Sequence, residues 1–252
     1  MGVDKLNIVA QKLKNKGVAR FARWGDGAGA GEAPTPGDDA ACNVAETAAV
    51  AAARGVAASL GNRLLFDGGG LTHFFLDKAL RQPGVVPDVG PAGPDGDYRR
   101  GIDPAALRGE IDSWFAGLEA AGLHVTVVFD GTRLDDLKDD ESDARLVQRL
   151  DRMRTGWDWS TGARRCSPFT STIKAHLHAV LQRRGIESVT ADGEADRCVA
   201  RMSRETGAPV VTTDGDLLVF PGANIVLLWE LKVTRGAASA WVYSGEALRG
   251  FR

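Results

Sequence analysis

The sequence predicts an α/β fold with three layers, in which a mainly parallel central sheet carries helices on both faces. Five short apolar segments rich in β-branched residues alternate with amphipathic segments, and this alternation is typical of parallel strands covered by helices. The length of 252 residues suits one such domain, and a hydrophobic content of 44% is enough for a packed core. Since no internal repeat or boundary divides the chain, we expect a single domain over residues 1–252.

The elements follow from local signals. Strands are predicted at residues 63–66, 125–129, 186–190, 209–213 and 224–229. The clearest helix runs from Asp103 to Ala121, because Asp103 is a good cap, Pro104 suits the first turn and Gly122 suits the end. Other helices are predicted at 3–23, 45–60, 168–185 and 193–207. The Gly- and Pro-rich stretch at about 25–44 is predicted to be a low-complexity insertion.

Composition excludes several classes of protein. With 31 basic and 33 acidic residues the net charge is −2, which argues against a globally basic nucleic-acid coat protein. The chain lacks an apolar run of about 18 residues, so we expect no membrane partner. Its first residues lack the apolar core of a signal peptide, and its 3 cysteines are scattered. These features predict an intracellular protein in a reducing compartment.

Acidic residues follow four of the predicted strands. They are Asp67, Asp130, Glu194, Asp196, Asp214 and Asp216. Because the carboxyl ends of parallel strands meet at one edge of a sheet, we expect six carboxylates there, and they would repel one another without a cation. Oxygen ligands without nearby Cys or His favour Mg²⁺ or Mn²⁺ over zinc. Two such ions can activate water and stabilise the leaving oxygen in phosphodiester hydrolysis.

Simpler interpretations of these acids stay open. An Asp between a strand and a helix is often a cap or a turn residue. On a regular helix Glu194 and Asp196 point about 200° apart, so both reach one site only if Glu194 precedes the first turn. The segment from Phe129 to Thr132 is similar to the motif of phosphoaspartyl phosphatases, but Val128 stands where the nucleophile belongs. A phosphoaspartyl mechanism is therefore excluded at this position.

A basic stripe is predicted after Asp130. It consists of Lys138, Arg145, Arg149 and Arg152, which fall within about 60° on a helical wheel. Beside a carboxylate site such a stripe can bind the phosphates of a substrate. A solvated helix face whose basic residues pair with nearby acids explains the same pattern, and both interpretations stay open.

Several motifs resemble those of one nuclease superfamily. They are Met1-Gly2-Val3, Phe66-Asp67-Gly68, Phe129-Asp130-Gly131, the block from Ala191 to Asp196 and the block from Thr213 to Leu218. Together they resemble the flap endonuclease/XPG superfamily, and the stretch from Gly96 to Arg100 is similar to its asteroid branch. The resemblance implies a PIN-like domain that cuts DNA or RNA at branched or 5′-ended structures with two divalent ions, and it implies a nuclear protein.

The resemblance also implies roles for individual residues. The six acids match the metal-binding acids of the family. Lys138 and Arg145 are similar to the basic pair that contacts the scissile phosphate from a helical arch, here at about 135–165, although they lie one residue later. Gly2 matches an N-terminal residue near the active site, and Arg149 extends the predicted substrate-binding stripe. After their last strands, flap-type enzymes continue with a further metal-binding Asp and a helix–two-turn–helix element, which do not occur up to Arg252.

Three functions are compatible with these features. The leading hypothesis is a Mg²⁺- or Mn²⁺-dependent nuclease acting on DNA or RNA, with structure-specific cleavage of 5′ flaps or branched ends. The alternative is a catalytically silent PIN-like scaffold in RNA or protein assemblies, whose protein partners the sequence does not specify. The third, a small-molecule phosphatase, is disfavoured by the lack of a nucleophile at position 128.

Overall fold

The computed structural model describes residues 11, 14, 19–25, 54–81, 103–131, 147, 170–234 and 236–244. Apart from Gly25 and Val147, the predicted insertion at 25–44 and the predicted arch at 135–165 lie outside the described residues. The single domain over residues 1–252 stays a prediction.

One mixed sheet organises the described residues. Its strands are β1 (Ala19–Trp24), β2 (Arg63–Asp67), β3 (His124–Phe129), β4 (Glu187–Thr190), β5 (Val210–Thr212), β6 (Asn224–Leu227), β7 (Lys232–Thr234) and β8 (Ala237–Ser244). The helices are α1 (Gly68–Arg81), α2 (Pro104–Ala120), α3 (Thr170–Arg184) and α4 (Ala195–Thr206), and residues 54–60 are also helical. The strand order is β1-β8-β6-β5-β2-β3-β4, with β7 paired to β8.

The centre of the sheet is parallel. Strands β6, β5, β2, β3 and β4 pair in parallel, whereas β8 pairs antiparallel with β1, β6 and β7. Both faces are covered: Leu64 and Phe66 of β2 face a core shared with α1, α2 and α3, while Leu65 faces a second core shared with α4. Alternate residues of a strand therefore enter opposite cores, which confirms the predicted three-layer α/β fold.

Helix α2 has the bounds that its sequence predicts. The Asp103 side chain accepts hydrogen bonds from the backbone N–H groups of Ala105 and Ala106, at 2.8 and 3.4 Å. The chain leaves the helix through Gly122, whose φ of 74° favours glycine. Arg184 of α3 then binds Asp112 of α2 through two nitrogens, at 2.8 and 3.0 Å. The guanidinium lowers the pKa of Asp112 and joins the two helices over the first core.

Strands β1, β7 and β8 were not predicted from the sequence. The helical pattern at 3–23 is wrong for its last residues, because Ala19–Trp24 is the edge strand β1. Pairing with β8 produces this strand, with Ala19 opposite Tyr243 and Trp24 opposite Ala238. The predicted strand at 224–229 ends at Leu227 and continues as the 3₁₀ turn Leu228–Glu230.

Within the described residues, no helix has the length and apolar character needed to cross a membrane.

Candidate active site

The candidate site lies where the sheet changes direction. From β2 the chain moves to β3 and then β4 on one side, and it then returns to β5 and β6 on the other side of β2. The neighbouring strands β2 and β5 are parallel, so their carboxyl ends open at the same edge. Such a switch point forms a crevice between connections that diverge, and ligands of open α/β sheets bind in it. The predicted acids follow β5, β2, β3 and β4, which are four adjacent strands.

Asp67 is the buried member of the set. Its side chain accepts hydrogen bonds from the backbone N–H groups of Gly69 and Gly70, at 2.9 and 3.0 Å, and so caps α1. Burial raises its pKa against the effect of these hydrogen bonds, and the charge of Asp130 raises it further. A Cβ at Gly70 would lie 2.6 Å from the nearer carboxylate oxygen, so glycine is needed for this close approach.

Thr212 joins the two strands at the switch point. Its hydroxyl donates a hydrogen bond to Oδ2 of Asp67 at 3.1 Å and accepts one from the backbone N–H of Asp214 at 2.9 Å. Thr212 is completely buried, so these contacts satisfy a hydroxyl that has no access to water. The sequence analysis missed this residue, although a polar residue at the end of a buried strand was the signal.

Asp130 caps a helix that is distant in sequence. Its Oδ1 accepts a hydrogen bond from the backbone N–H of Ala195, the first residue of α4, at 2.8 Å. Next to it, the N–H of Gly131 donates to the carbonyl of Gly193 at 2.9 Å. These two contacts fasten the end of β3 to the loop that carries the next acids. The Asp130 side chain itself is exposed at the edge.

Glu194 and Asp196 can reach one site, because Glu194 precedes the first turn of α4. Glu194 is the N-cap residue of α4, in an extended conformation with φ −69° and ψ 133°, and Asp196 lies in the first helical turn. Burial and then the charges of four other acids raise the pKa of Asp196 to about 7. Those acids are Asp67, Asp214, Asp130 and Glu194, in decreasing order of effect. Four of the other five predicted carboxylates therefore lie within electrostatic reach of Asp196.

Asp216 differs from the other acids. It lies in the 3₁₀ helix Gly215–Val219, where its backbone N–H donates to Oδ1 of Asp214 at 2.9 Å. Both side chains are exposed, and Asp216 is not among the charges that act on Asp196. The other predicted site residues, Gly2, Lys138, Arg145 and Arg149, lie outside the described residues.

The donor set suits a hard cation. All five carboxylates offer oxygen, and the repulsion that raises the pKa of Asp196 is the kind that a divalent ion relieves. Within the described ranges, no three His, Cys, Asp or Glu side chains lie close enough together to hold a metal ion as they stand. The fit to Mg²⁺ or Mn²⁺ is therefore one of donor chemistry and charge.

The crowded acids predict a pH-dependent stability. Because folding raises the pKa of Asp196 to about 7, its contribution to stability is greatest below pH 4 and is lost as pH rises through 7. In EDTA we expect the protein to melt at a lower temperature at pH 8.5 than at pH 5.5. Asp196→Asn should regain about 1 kcal/mol at pH 8.5, a figure discounted for solvent screening of a half-buried group.

The matched control for this measurement is Asp192→Asn. Asp192 is an exposed acid of the same loop and is not among the charges that raise the pKa of Asp196. Thermal unfolding of wild type and both variants at the two pH values isolates the effect of the crowded carboxylates. Equal melting of Asp196→Asn and wild type at pH 8.5 would contradict the prediction.

Comparison with known proteins gives one relative in sequence. The chain is 29% identical over 124 residues to the single-strand DNA endonuclease ASTE1 of Danio rerio. The match covers 49% of this chain and 18% of that protein, so the chain corresponds to less than a fifth of its relative's length. No protein-family model matches the chain.

Solved structures give weaker likenesses. The catalytic core of Rad2 in complex with DNA substrate has a TM-score of 0.46 at 19% identity, over 75% of this chain and 50% of that one. Human GEN1 in complex with Holliday junction DNA has a TM-score of 0.45 at 16% identity, over 76% and 40%. Because their TM-scores are below 0.5, these structures carry no argument about this chain, and the comparison depends on the sequence relative. The similarity to ASTE1 confirms the resemblance to the asteroid branch of the flap endonuclease/XPG superfamily that the sequence motifs indicate.

Proposed function

We propose that this protein is a divalent-metal-dependent nuclease that hydrolyses phosphodiester bonds of DNA. The observation that carries the proposal is the position of the acids after four adjacent strands at the switch point, where burial and then four of the acids raise the pKa of Asp196. Acids crowded in this way destabilise a protein unless they serve a bound cation. Asp216 and the basic residues Lys138, Arg145 and Arg149 belong to the proposal as predicted site residues.

The carboxylates would hold Mg²⁺ or Mn²⁺, with two ions as the finer expectation. When bound, such ions supply Lewis-acid chemistry that lowers the pKa of water and offsets charge on the leaving oxygen. Asp67 would be the fixed ligand, because two backbone N–H groups and the Thr212 hydroxyl hold its carboxylate in place. Asp130 and Asp214 would present their exposed oxygens toward solvent, where a phosphate backbone can approach.

The relative suggests a class of substrate. ASTE1 is named a single-strand DNA endonuclease, and this name supports testing single-stranded DNA before other nucleic acids. Structure-specific cleavage at 5′ flaps or branched ends, the use of RNA and a nuclear location are finer parts of the proposal. They follow from the family resemblance.

A cleavage assay tests the proposal. The protein is incubated with end-labelled single-stranded and 5′-flap DNA, and with matched RNA, in Mg²⁺, Mn²⁺ or EDTA. We expect cleavage of DNA only with a divalent ion, and recovery after EDTA when Mn²⁺ is added in excess. The double variant Asp130→Asn/Asp214→Asn, purified in parallel, controls for contaminating nucleases and should be inactive.

Calorimetry gives a readout that is independent of turnover. Mn²⁺ should bind the wild type and raise its melting temperature, because a ligand at a hundred times its Kd stabilises the folded state by about 2.7 kcal/mol. The double variant should show neither effect. Metal-independent binding of oligonucleotides without any cleavage would instead favour the scaffold, and hydrolysis of a phosphomonoester alone would favour the phosphatase.

A further inference from the structure

A cationic side chain lies beside the carboxylate edge on helix α3. The Lys174 ammonium lies 5.4 Å from the centre of the Phe129 ring. One turn further along the helix, the His178 ring stacks on the same phenyl ring, with centroids 4.1 Å apart and planes 30° apart. Phe129 is the last residue of β3 and directly precedes Asp130. The cation therefore lies beside the strand residue that directly precedes a proposed metal ligand.

The Phe129 ring is held from its other side as well. A Cβ on Gly68, the residue after Asp67, would lie 2.4 Å from a carbon of this ring. The ring is thus packed between the start of α1 and the side of α3, and its exposed fraction is 3%. The Lys174 ammonium therefore lies over a buried ring that contacts the start of α1 and directly precedes Asp130.

Lys174 has no acidic partner among the residues that the structure describes. The side chain is exposed, and it forms no ion pair with any described residue. The charges with the largest effects on the pKa values of Asp67 and Asp196 are those of other acids. Burial, and then the charge of Lys174, lowers the pKa of His178.

We propose that Lys174 binds a backbone phosphate of the substrate strand, next to the phosphate that lies at the carboxylates. The inference rests on the proposed function. Successive phosphates of one strand lie several ångströms apart, and the ring under Lys174 belongs to the residue before Asp130, so one strand can contact both places through adjacent phosphates. Such a contact positions the strand without reading its sequence.

Kinetics of Lys174→Ala, Lys174→Met and Lys174→Arg on single-stranded DNA test this role. We expect Lys174→Ala and Lys174→Met to raise KM about tenfold with kcat within about twofold, and to reduce the slope of log affinity against log salt by about one phosphate contact. Lys174→Met keeps the aliphatic packing on Phe129. Lys174→Arg should retain most of the wild-type affinity. The matched control is Arg20→Ala, which removes an exposed charge from β1 at the far side of the sheet.

A substrate series locates the contact. Methylphosphonate is placed at one linkage at a time around the cleavage position, which removes a single negative charge. One substitution should weaken binding by wild type but cause no further loss with Lys174→Ala, because both changes remove the same contact. Additive effects at every linkage would overturn the role of Lys174. The same holds if Lys174→Ala and Arg20→Ala have equal KM values. A wild type that cleaves no substrate with either metal would refute the proposed function instead.

Discussion

We expect Asp130→Asn to lower the rate of DNA cleavage by on the order of a thousandfold, while the protein keeps its fold. The substitution removes the charge that a divalent ion needs. It keeps an amide oxygen at the position of Oδ1, which can still accept the hydrogen bond that Ala195 donates at 2.8 Å. Single-turnover cleavage and thermal unfolding of the same preparation measure the two effects separately.

Two comparisons make this result specific. Asp130→Ala removes the cap together with the charge, so it should be as inactive as Asp130→Asn but should lose about 1 kcal/mol of stability. Asp103→Asn changes a capping carboxylate at the start of α2 in the same way and should leave cleavage unchanged. Cleavage by Asp130→Asn within tenfold of the wild-type rate would contradict a metal-binding role for Asp130.

Gly131→Ala should damage both the site and the fold. A Cβ on Gly131 would lie 1.7 Å from the carbonyl oxygen of Ala191, so one of the two backbones has to move by more than an ångström. That movement breaks the hydrogen bond from Gly131 to Gly193 and separates Asp130 from the acids on α4. We expect a loss of about 3 kcal/mol in the free energy of unfolding and about a hundredfold in cleavage rate.

The same loop offers the matched control. Gly193 has open space around the position of its missing Cβ and does not need a positive φ, so Gly193→Ala should change stability by less than about 0.5 kcal/mol. Chemical denaturation compares the two variants on one scale. If Gly131→Ala and Gly193→Ala have equal stability, the tight contact between the ends of β3 and β4 does not hold the site together.

The fold was predictable where its signals are local. The cap at Asp103 and the turn at Gly122 fixed the bounds of α2, and short β-branched runs located the parallel strands. Strand β1 had no comparable signal, because it becomes a strand by pairing with residues of β8 that lie more than 200 positions away. Strand propensity depends on the neighbouring strands, so the sequence of β1 by itself is equally compatible with the end of a helix.

The site was predictable in its composition but not in its detail. The position of each acid after a strand indicated one shared edge, and the structure places four of the other five within electrostatic reach of Asp196. The capping interpretation holds for Asp67, Asp130 and Asp214, which all accept backbone N–H groups at this edge, and the metal-ligand interpretation stays a prediction. The position of Thr212 at the end of a buried strand was a signal, but its partner Asp67 depends on β5 lying next to β2. The role proposed for Lys174 depends in the same way on α3 packing against the end of β3.

The pairing of β1 with β8 has a consequence for biosynthesis. Trp24 leaves the ribosome long before its partner Ala238, and at about 5 to 20 residues per second the interval is roughly 10 to 40 s. During that time β1 has neither β8 nor the side chain of Trp241, against which Phe21 packs with ring centroids 5.3 Å apart. The parallel strands that carry the acids can assemble earlier. Nascent chains arrested before residue 237 should therefore bind chaperones through the β1 segment.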